Sequence, residues 1–250
     1  MRTRKKPWTG RELDGNGRVL KEPENMRGRW KEYFGNDNPI HLEIGCGKGK
    51  FLNAAAQSLP GVNFIGLERD PVILAAAARL NRVTGGAAAA YIISDAEKLP
   101  ELFAAGEIRA LYIQFCDPWP NKKKWAKRRL THSRFLNIYG GLGIEKIFFK
   151  TDNRLLFDFS VEQFINSGWV LKNVTYDLHA VPQDPRFVTE YETKFAARGL
   201  PIYALEAYGG FPGEGNGFEC PYGQDEEPDK ANDLYAQKKQ GIEPGNAQGD

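Results

Sequence analysis

Long apolar runs are missing from these 250 residues. No stretch approaches the ~18 apolar residues that a membrane span needs. Cysteine is scarce: Cys46, Cys116 and Cys220 form an odd, widely spaced set. That excludes a disulfide framework and points to a reducing cytoplasm. Histidine is as scarce, and His41, His132 and His179 lie far apart with no paired cysteine, so no metal site is expected. The basic start MRTRKKPW is followed by no apolar segment, so it does not read as a secretory signal. Neither sign of charge dominates: 34 Lys and Arg face 32 Asp and Glu, a net +2. With 41% apolar and 26% charged residues, the chain is neither collagen-like, mucin-like nor wholly disordered. It is long enough to bury a core without staples.

The near-neutral sum hides three regions. Residues 1–31 hold ten bases and four acids, a net +6. Residues 121–134 hold seven bases (Lys122, Lys123, Lys124, Lys127, Arg128, Arg129 and Arg134) and no acid. Residues 209–250 hold nine acids and three bases, a net −6, among many Gly and Pro. Such a tail buries too little apolar surface to offset its ordering and is expected to be largely disordered. The expected organisation is a basic N-terminal arm over 1–34, a globular domain over 35–208 and an acidic tail over 209–250.

From residue 39 onward strands and helices alternate. Ile40–Ile44, Val62–Leu67, Ala89–Ile93, Ala110–Phe115 and Lys146–Lys150 read as strands. Lys50–Ser58 and Pro71–Arg82 read as helices, the second with Pro in its first turn. This order predicts an α/β fold with a mostly parallel, doubly wound sheet. Trp169–Leu178 and Ile202–Ala207 read as two later strands, the second antiparallel to the rest.

Glu43-Ile44-Gly45-Cys46-Gly47-Lys48-Gly49 joins the first strand to a helix. Glycines there let the backbone approach a ligand closely. A dinucleotide fingerprint would need glycine where Lys50 stands, and a P-loop is absent. Glu43 would repel a pyrophosphate but suits a cation or an amine. S-adenosylmethionine carries a sulfonium and an α-amine and no phosphate, so the loop favours it over NAD. On the loop alone, a glycine-rich turn without a ligand stays open. Glu68 closes the second strand about twenty residues on, where a carboxylate accepts from a ribose diol; it could instead pair with Arg69 or Arg82. Asp95 follows the third strand and suits a helix N-cap, an adenine amino group, or both.

Gln114-Phe115-Cys116-Asp117-Pro118-Trp119-Pro120 leaves the fourth strand at its carboxyl end, which faces the ligand crevice in open α/β sheets. Its prolines restrict the loop, and Trp119 offers a face on which a base could stack. A charge run is usually a solvated helix face, but these bases, interleaved with Trp125 and placed beside the crevice, favour a phosphate backbone partner.

These motifs together resemble the bacterial tRNA (guanine-N7-)-methyltransferase family in its Gram-positive-type form. The resemblance covers residues 1–208. It rests on MRTRKKPW, GNDNPIHLEIGCGKG, NFIGLE, SDAEKL, DPWPNKKKWAKRRLTHSRFL, FKTDNRLLF and TEYETKFAARGLPIY. It implies a class I, Rossmann-like methyltransferase fold with one antiparallel strand. It also implies S-adenosylmethionine as cofactor, tRNA as partner, a cytoplasmic setting, and methylation at N7 of guanine 46 in the variable loop. Glu43, Glu68, Asp95 and Asp117 match the family's cofactor-contacting acids, with Gly45, Gly47 and Gly49 in the loop between them. Asp117 matches its catalytic acid. Lys122, Asp152 and Thr189-Glu190-Tyr191-Glu192 match substrate-binding positions. Arg2, Arg4, Lys5, Lys6, Lys123, Lys124, Lys127, Arg128 and Arg129 would grip tRNA phosphates. No metal and no membrane enter this expectation, and monomer or homodimer is left undecided.

One departure stands out. The loop is one residue longer than the family's D-P-W-P-K-K-R-H, with Trp125 where His is usual. The substrate lysine can therefore be Lys122 or Lys123, and no histidine here is needed as a base. Guanine N7 already carries a lone pair, so catalysis can be mostly positioning. A carboxylate beside the cationic product base would stabilise it, a role for Asp117. Asp152 or Glu192 could accept from guanine N1–H and its amino group, which would select guanine over adenine.

Overall fold

The computed structural model describes residues 6–85, 89–120, 123–180 and 188–209, with Lys123 and Glu190 described in backbone only. Eight strands form one sheet: β1 (Val19–Leu20), β2 (Ile40–Ile44), β3 (Asn63–Glu68), β4 (Ala89–Ile93), β5 (Ile108–Gln114), β6 (Lys146–Thr151), β7 (Val170–Thr175) and β8 (Tyr203–Tyr208). Their order is β1-β4-β3-β2-β5-β6-β8-β7. Every pairing is parallel except those of β8, which runs antiparallel to both β6 and β7. This is the expected doubly wound sheet with one antiparallel strand.

The crossovers are α-helical: α3 (Lys50–Ser58), α4 (Pro71–Val83), α7 (Ser133–Gly141) and α8 (Arg154–Asn166), with a short α5 (Leu99–Leu102) after β4. Local chemistry sets their starts. Asp70 accepts from the Val72 and Ile73 amides ahead of Pro71, and Asn153 accepts from Leu156 at 2.8 Å. Each sheet face buries its own apolar cluster. One holds Leu42, Ile65, Leu111, Phe149 and Phe157. The other holds Phe51, Leu74, Tyr112 and Phe148 beneath α3 and α4. Gly66 in β3 is a packing requirement, because a Cβ there would lie 2.8 Å from Leu52 and 2.9 Å from Cys46 Sγ.

Strand ends differ from the sequence reading by one to a few residues, for local reasons. β5 stops at Gln114 rather than Phe115 because Phe115 has φ of 51°. β7 ends at Thr175 rather than Leu178, after a register shift near Asn173, whose φ is 50°. The stretch read as a basic arm contributes α1 (Thr9–Gly15), β1 and α2 (Trp30–Phe34) to the body. Glu12 of α1 pairs with Arg82 of α4 at 2.6 Å. Trp30 is fully buried, stacks on Phe103 at 5.1 Å and donates to the Leu102 carbonyl at 3.0 Å. Arg2, Arg4, Lys5, Lys122 and the tail from 210 lie outside the described residues. No described helix is long and apolar enough to cross a membrane.

Candidate active site

The carboxyl ends of β2, β3, β4 and β5 open onto a crevice of about 1240 Å³. Ile44 and Gly45, where β2 passes into the glycine loop, line it. The Gly45 and Cys46 amides both reach the Leu67 carbonyl, at 2.8 and 3.1 Å, which folds the loop over the tip of β3. Gly45 has φ of 75° with open space where a Cβ would sit, so its backbone faces the crevice bare. Gly49 has a different job: a Cβ there would lie 2.7 Å from Ala77, so it permits the close approach of α3 and α4.

Glu68 lines the crevice and is held by three amides: Gly47 at 3.3 Å, Arg69 at 2.7 Å and Asp70 at 3.0 Å. Neither alternative partner holds its carboxylate through a side chain. Arg82 pairs with Glu12, and the Arg69 guanidinium reaches Asp95 at 3.9 Å. Asp95 also lines the crevice while accepting from the Glu97 amide at 3.3 Å. Its capping geometry and its crevice position coexist.

Glu43 is buried near the carboxyl end of β2, directly before Ile44 and Gly45, which line the crevice; it does not line the crevice itself. Gln114 on β5 donates Nε2 to Glu43 Oε1 at 3.2 Å. The remaining oxygens, Glu43 Oε2 and Gln114 Oε1, are buried and have no partner among the described residues. Burial pushes the Glu43 carboxyl up to about 8; Gln114 and Lys150 oppose this, and Glu68 adds to it. With the carboxyl ionised, the buried pair leaves two orphaned acceptors and a demand for donors.

The loop after β5 is wound tightly. Phe115 and Trp119 both adopt positive φ, 51° and 45°, at a cost of roughly 1–3 kcal/mol each. Arg129 holds this shape: its Nε donates to the Pro118 carbonyl at 2.8 Å and its Nη2 to the Trp119 carbonyl at 3.0 Å. It is only 2% exposed and lies over the Phe159 ring at 4.4 Å. This corrects the reading of Arg129 as a phosphate contact, because its donors are used inside the loop. Lys124, Lys127 and Arg128 stay exposed. Trp119 stacks on Trp125 at 5.4 Å, and the Arg128 guanidinium lies over both rings, at 4.9 and 4.7 Å. Asp117 is exposed and lines the crevice beside Phe115, Cys116 and Trp119.

Thr189-Glu190-Tyr191-Glu192 opens α9 (Glu190–Ala196). Thr189 and Glu192 form a reciprocal capping box, with Thr189 Oγ1 accepting from Glu192 N at 3.0 Å. Glu192 is fully buried and takes Lys150 Nζ at 3.0 Å. Its carboxylate is therefore not open to the crevice, which corrects its reading as a direct guanine acceptor. Tyr191 instead is exposed, with its ring 4.9 Å from Phe115, and Asp152 lies close enough to act on its hydroxyl. Burial first, then the Asp152 charge, pushes the Tyr191 hydroxyl up. Asp152 and Tyr191 are thus brought together beside the Asp117 loop. Lys6 lies on the turn into α1, whose Thr9 and Leu13 line the crevice. Among the described residues no cluster of His, Cys, Asp and Glu could hold a metal ion.

A family model described as "Putative methyltransferase" matches residues 37–205. The chain is 43% identical over 210 residues to the tRNA (guanine-N(7)-)-methyltransferase of Listeria monocytogenes, covering 83% of this chain and 98% of that one. It is 44% identical over 212 residues to the enzyme of the same name from Bacillus licheniformis, again covering 83% and 98%. The chain belongs to the tRNA (guanine-N7-)-methyltransferase family.

Solved methyltransferases share the fold of this family member. A 16S rRNA methyltransferase, KamB, superposes with a TM-score of 0.54 at 14% identity, over 72% of this chain and 92% of that one. A 30S ribosomal A1408 methyltransferase from an uncultured bacterium gives 0.53 at 15%, over 73% and 93%. Near the site stand further residues for which the sequence assigned no role. Gln114 and Lys150 are polar residues at the ends of apolar strands, a pattern that signals buried partners. Phe115 and Trp125 offered no such signal, because their role comes from backbone geometry and stacking.

Proposed function

We propose that this methyltransferase uses S-adenosylmethionine to methylate N7 of guanine 46 in the variable loop of tRNA. The observation that carries the reading is the orphaned acceptor pair, Glu43 Oε2 and Gln114 Oε1, buried beside a crevice that Glu68, Asp95 and Asp117 line. A primary ammonium has three donors and a positive charge, which is what two unpaired acceptors and a burdened carboxyl require. Glu68, fixed by three amides, would take the ribose diol, and Asp95 the adenine end. When bound, S-adenosylmethionine supplies an electrophilic methyl group on a sulfonium.

The chain's residues then have mostly positional work. Asp117 would lie beside the guanine and stabilise the positive charge that develops on it. Asp152, beside Tyr191, would accept from the guanine N1–H edge. Adenine lacks those donors, so it would leave a buried acceptor unpaired at about 1–3 kcal/mol. Tyr191 and Trp119 present aromatic faces for the base. Lys124, Lys127 and Arg128 would meet the phosphates.

The test is transfer of labelled methyl groups to an unmodified tRNA transcript. The reading predicts incorporation into the wild-type transcript and none when guanine 46 is replaced by adenine. Equal incorporation into both would contradict it.

A further inference from the structure

Trp119 and Trp125 stack with their ring planes 11° apart and their centroids 5.4 Å apart. Trp119 lines the crevice and Trp125 does not, so the pair runs from the crevice wall into the basic loop. Trp125 lies in the one-turn helix α6 (Lys123–Ala126), and the Arg128 amide closes that turn on the Trp125 carbonyl at 2.9 Å. The Arg129 amide reaches the Ala126 carbonyl at 3.0 Å, while its guanidinium clamps the Pro118 and Trp119 carbonyls. One buried arginine thus ties together the backbone that carries both rings. Trp119 pays a conformational strain in this arrangement: its φ is 45°, a value bulky residues rarely adopt and one that persists only where the surroundings enforce it. Both rings stay half-buried. Lys124 Nζ lies over the Trp125 ring at 5.5 Å and the Arg128 guanidinium at 4.7 Å, and both of these side chains are exposed.

We infer that Trp125 is a stacking site for the nucleobase next to guanine 46, with Trp119 serving the guanine itself. The inference rests on the tRNA reading above. An enzyme that acts on a base takes it out of its stack. The neighbouring base is then left with a bare face, and an indole replaces the lost stacking whatever that base is. Rings 11° apart suit two successive bases of one strand, which lie in nearly parallel planes. The cations over Trp125 fit the same ligand. A base arriving on the ring brings a phosphate on either side, and Lys124 and Arg128 have the charge and the reach to leave the ring and meet them. The site is also this chain's own: Trp125 stands where the family usually has His, and it offers a larger flat surface than an imidazole.

The test is steady-state methylation of an unmodified tRNA transcript by the full chain, crossed with transcripts that carry an abasic residue on one side or the other of guanine 46. Trp125→Ala should raise KM for tRNA about ten-fold, within the range for one base–aromatic stack. It should leave kcat within about two-fold, the split expected when a contact made equally in ground and transition states is lost. Trp125→Phe should stay within about three-fold of wild type in KM. One of the two abasic transcripts should cost the wild type a similar ten-fold and cost Trp125→Ala nothing further, since the contact is already gone. An unchanged KM for Trp125→Ala would overturn the inference. So would losses that add with both abasic transcripts, because a purely structural role for Trp125 does not depend on the neighbouring base. A lowered KM would overturn it as well, by showing that Trp125 blocks the place of the guanine. If Trp125→Ala does not fold, Trp125→Leu, which keeps apolar bulk against Trp119 without a flat ring, enters the same cycle with the same expected outcomes. A wild type that transfers no methyl group to tRNA would remove the tRNA reading, and the inference with it. A wild type that methylates guanine 46 without coupling in the cycle removes the inference alone.

Discussion

Gln114 donates Nε2 to Glu43 Oε1 across 3.2 Å, while the second oxygen of each side chain stays buried without a partner among the described residues. Two strands thus meet in a pair that is half satisfied. Such pairs are costly unless a ligand completes them.

That cost is pH-dependent. Burial pushes the Glu43 carboxyl up to about 8 in the free protein. The folded state therefore holds a proton that the unfolded chain releases near the ordinary carboxylate value of 4.5. Stability from this proton is fully present below the unfolded pKa and is lost as pH rises through about 8. Removing the acid with Glu43→Gln should flatten that decline and raise the melting temperature of the free protein at alkaline pH. A decline identical to wild type would show that Glu43 does not cause it.

Cofactor binding should release the same proton. At pH 7 most of the Glu43 population is protonated, and an ammonium beside the carboxyl favours the ionised form. Titration with S-adenosylhomocysteine in buffers of different ionisation enthalpy should show approaching one proton released at pH 7, and less at pH 9. An enthalpy independent of buffer would contradict the Glu43–ammonium contact.

Asp117 lines the crevice but takes no part in the Glu43–Gln114 pair. Asp117→Asn should lower turnover by roughly 10²–10³, the loss typical when one preorganised stabilising group is removed. Affinity for S-adenosylhomocysteine should stay within about three-fold, because the proposed ammonium and ribose contacts remain. Turnover near wild type would remove Asp117 from the mechanism.

The basic loop divides into two kinds of residue. Arg129 is spent on the Pro118 and Trp119 carbonyls, whereas Lys127 and Arg128 are exposed. Lys127→Ala should weaken tRNA binding and reduce the salt slope by about one counterion. Arg129→Ala should leave that slope unchanged. It should instead lower the melting temperature and turnover, because charged hydrogen bonds worth about 1.5–3 kcal/mol each hold the strained loop. A reduced salt slope for Arg129→Ala would return it to the phosphate-contacting set.

Much of this was legible in the sequence. The apolar runs of β2 and β4 and the Pro start of α4 marked their elements nearly to the residue, because burial on both faces and proline both leave plain signatures. Glu43, Glu68, Asp95 and Asp117 stood at strand ends, where the topology gathers them. Thr189-x-x-Glu192 carries the sequence signature of a capping box, but the burial of Glu192 and the fate of Arg129 were not legible. Each carries a polar group of the right type in the right motif, but a capping box, a buried ion pair and a strained loop take up those groups in three dimensions. The basic N-terminal stretch did carry one sign of packing: Trp30, Tyr33 and Phe34 stand at i, i+3 and i+4, one face of a helix, and Trp30 is fully buried. The net charge of +2 was likewise an average, over a basic start, a basic loop and an acidic tail.

The most direct test of the central claim is a map of the methylated atom. Unmodified tRNA is incubated with the protein and S-adenosylmethionine, reduced with borohydride and cleaved with aniline, which breaks the chain only at N7-methylated guanine. The account predicts one new cleavage, at guanine 46, that is lost with Asp117→Asn at matched times. Cleavage at another guanine, or methyl incorporation without any cleavage, would contradict it.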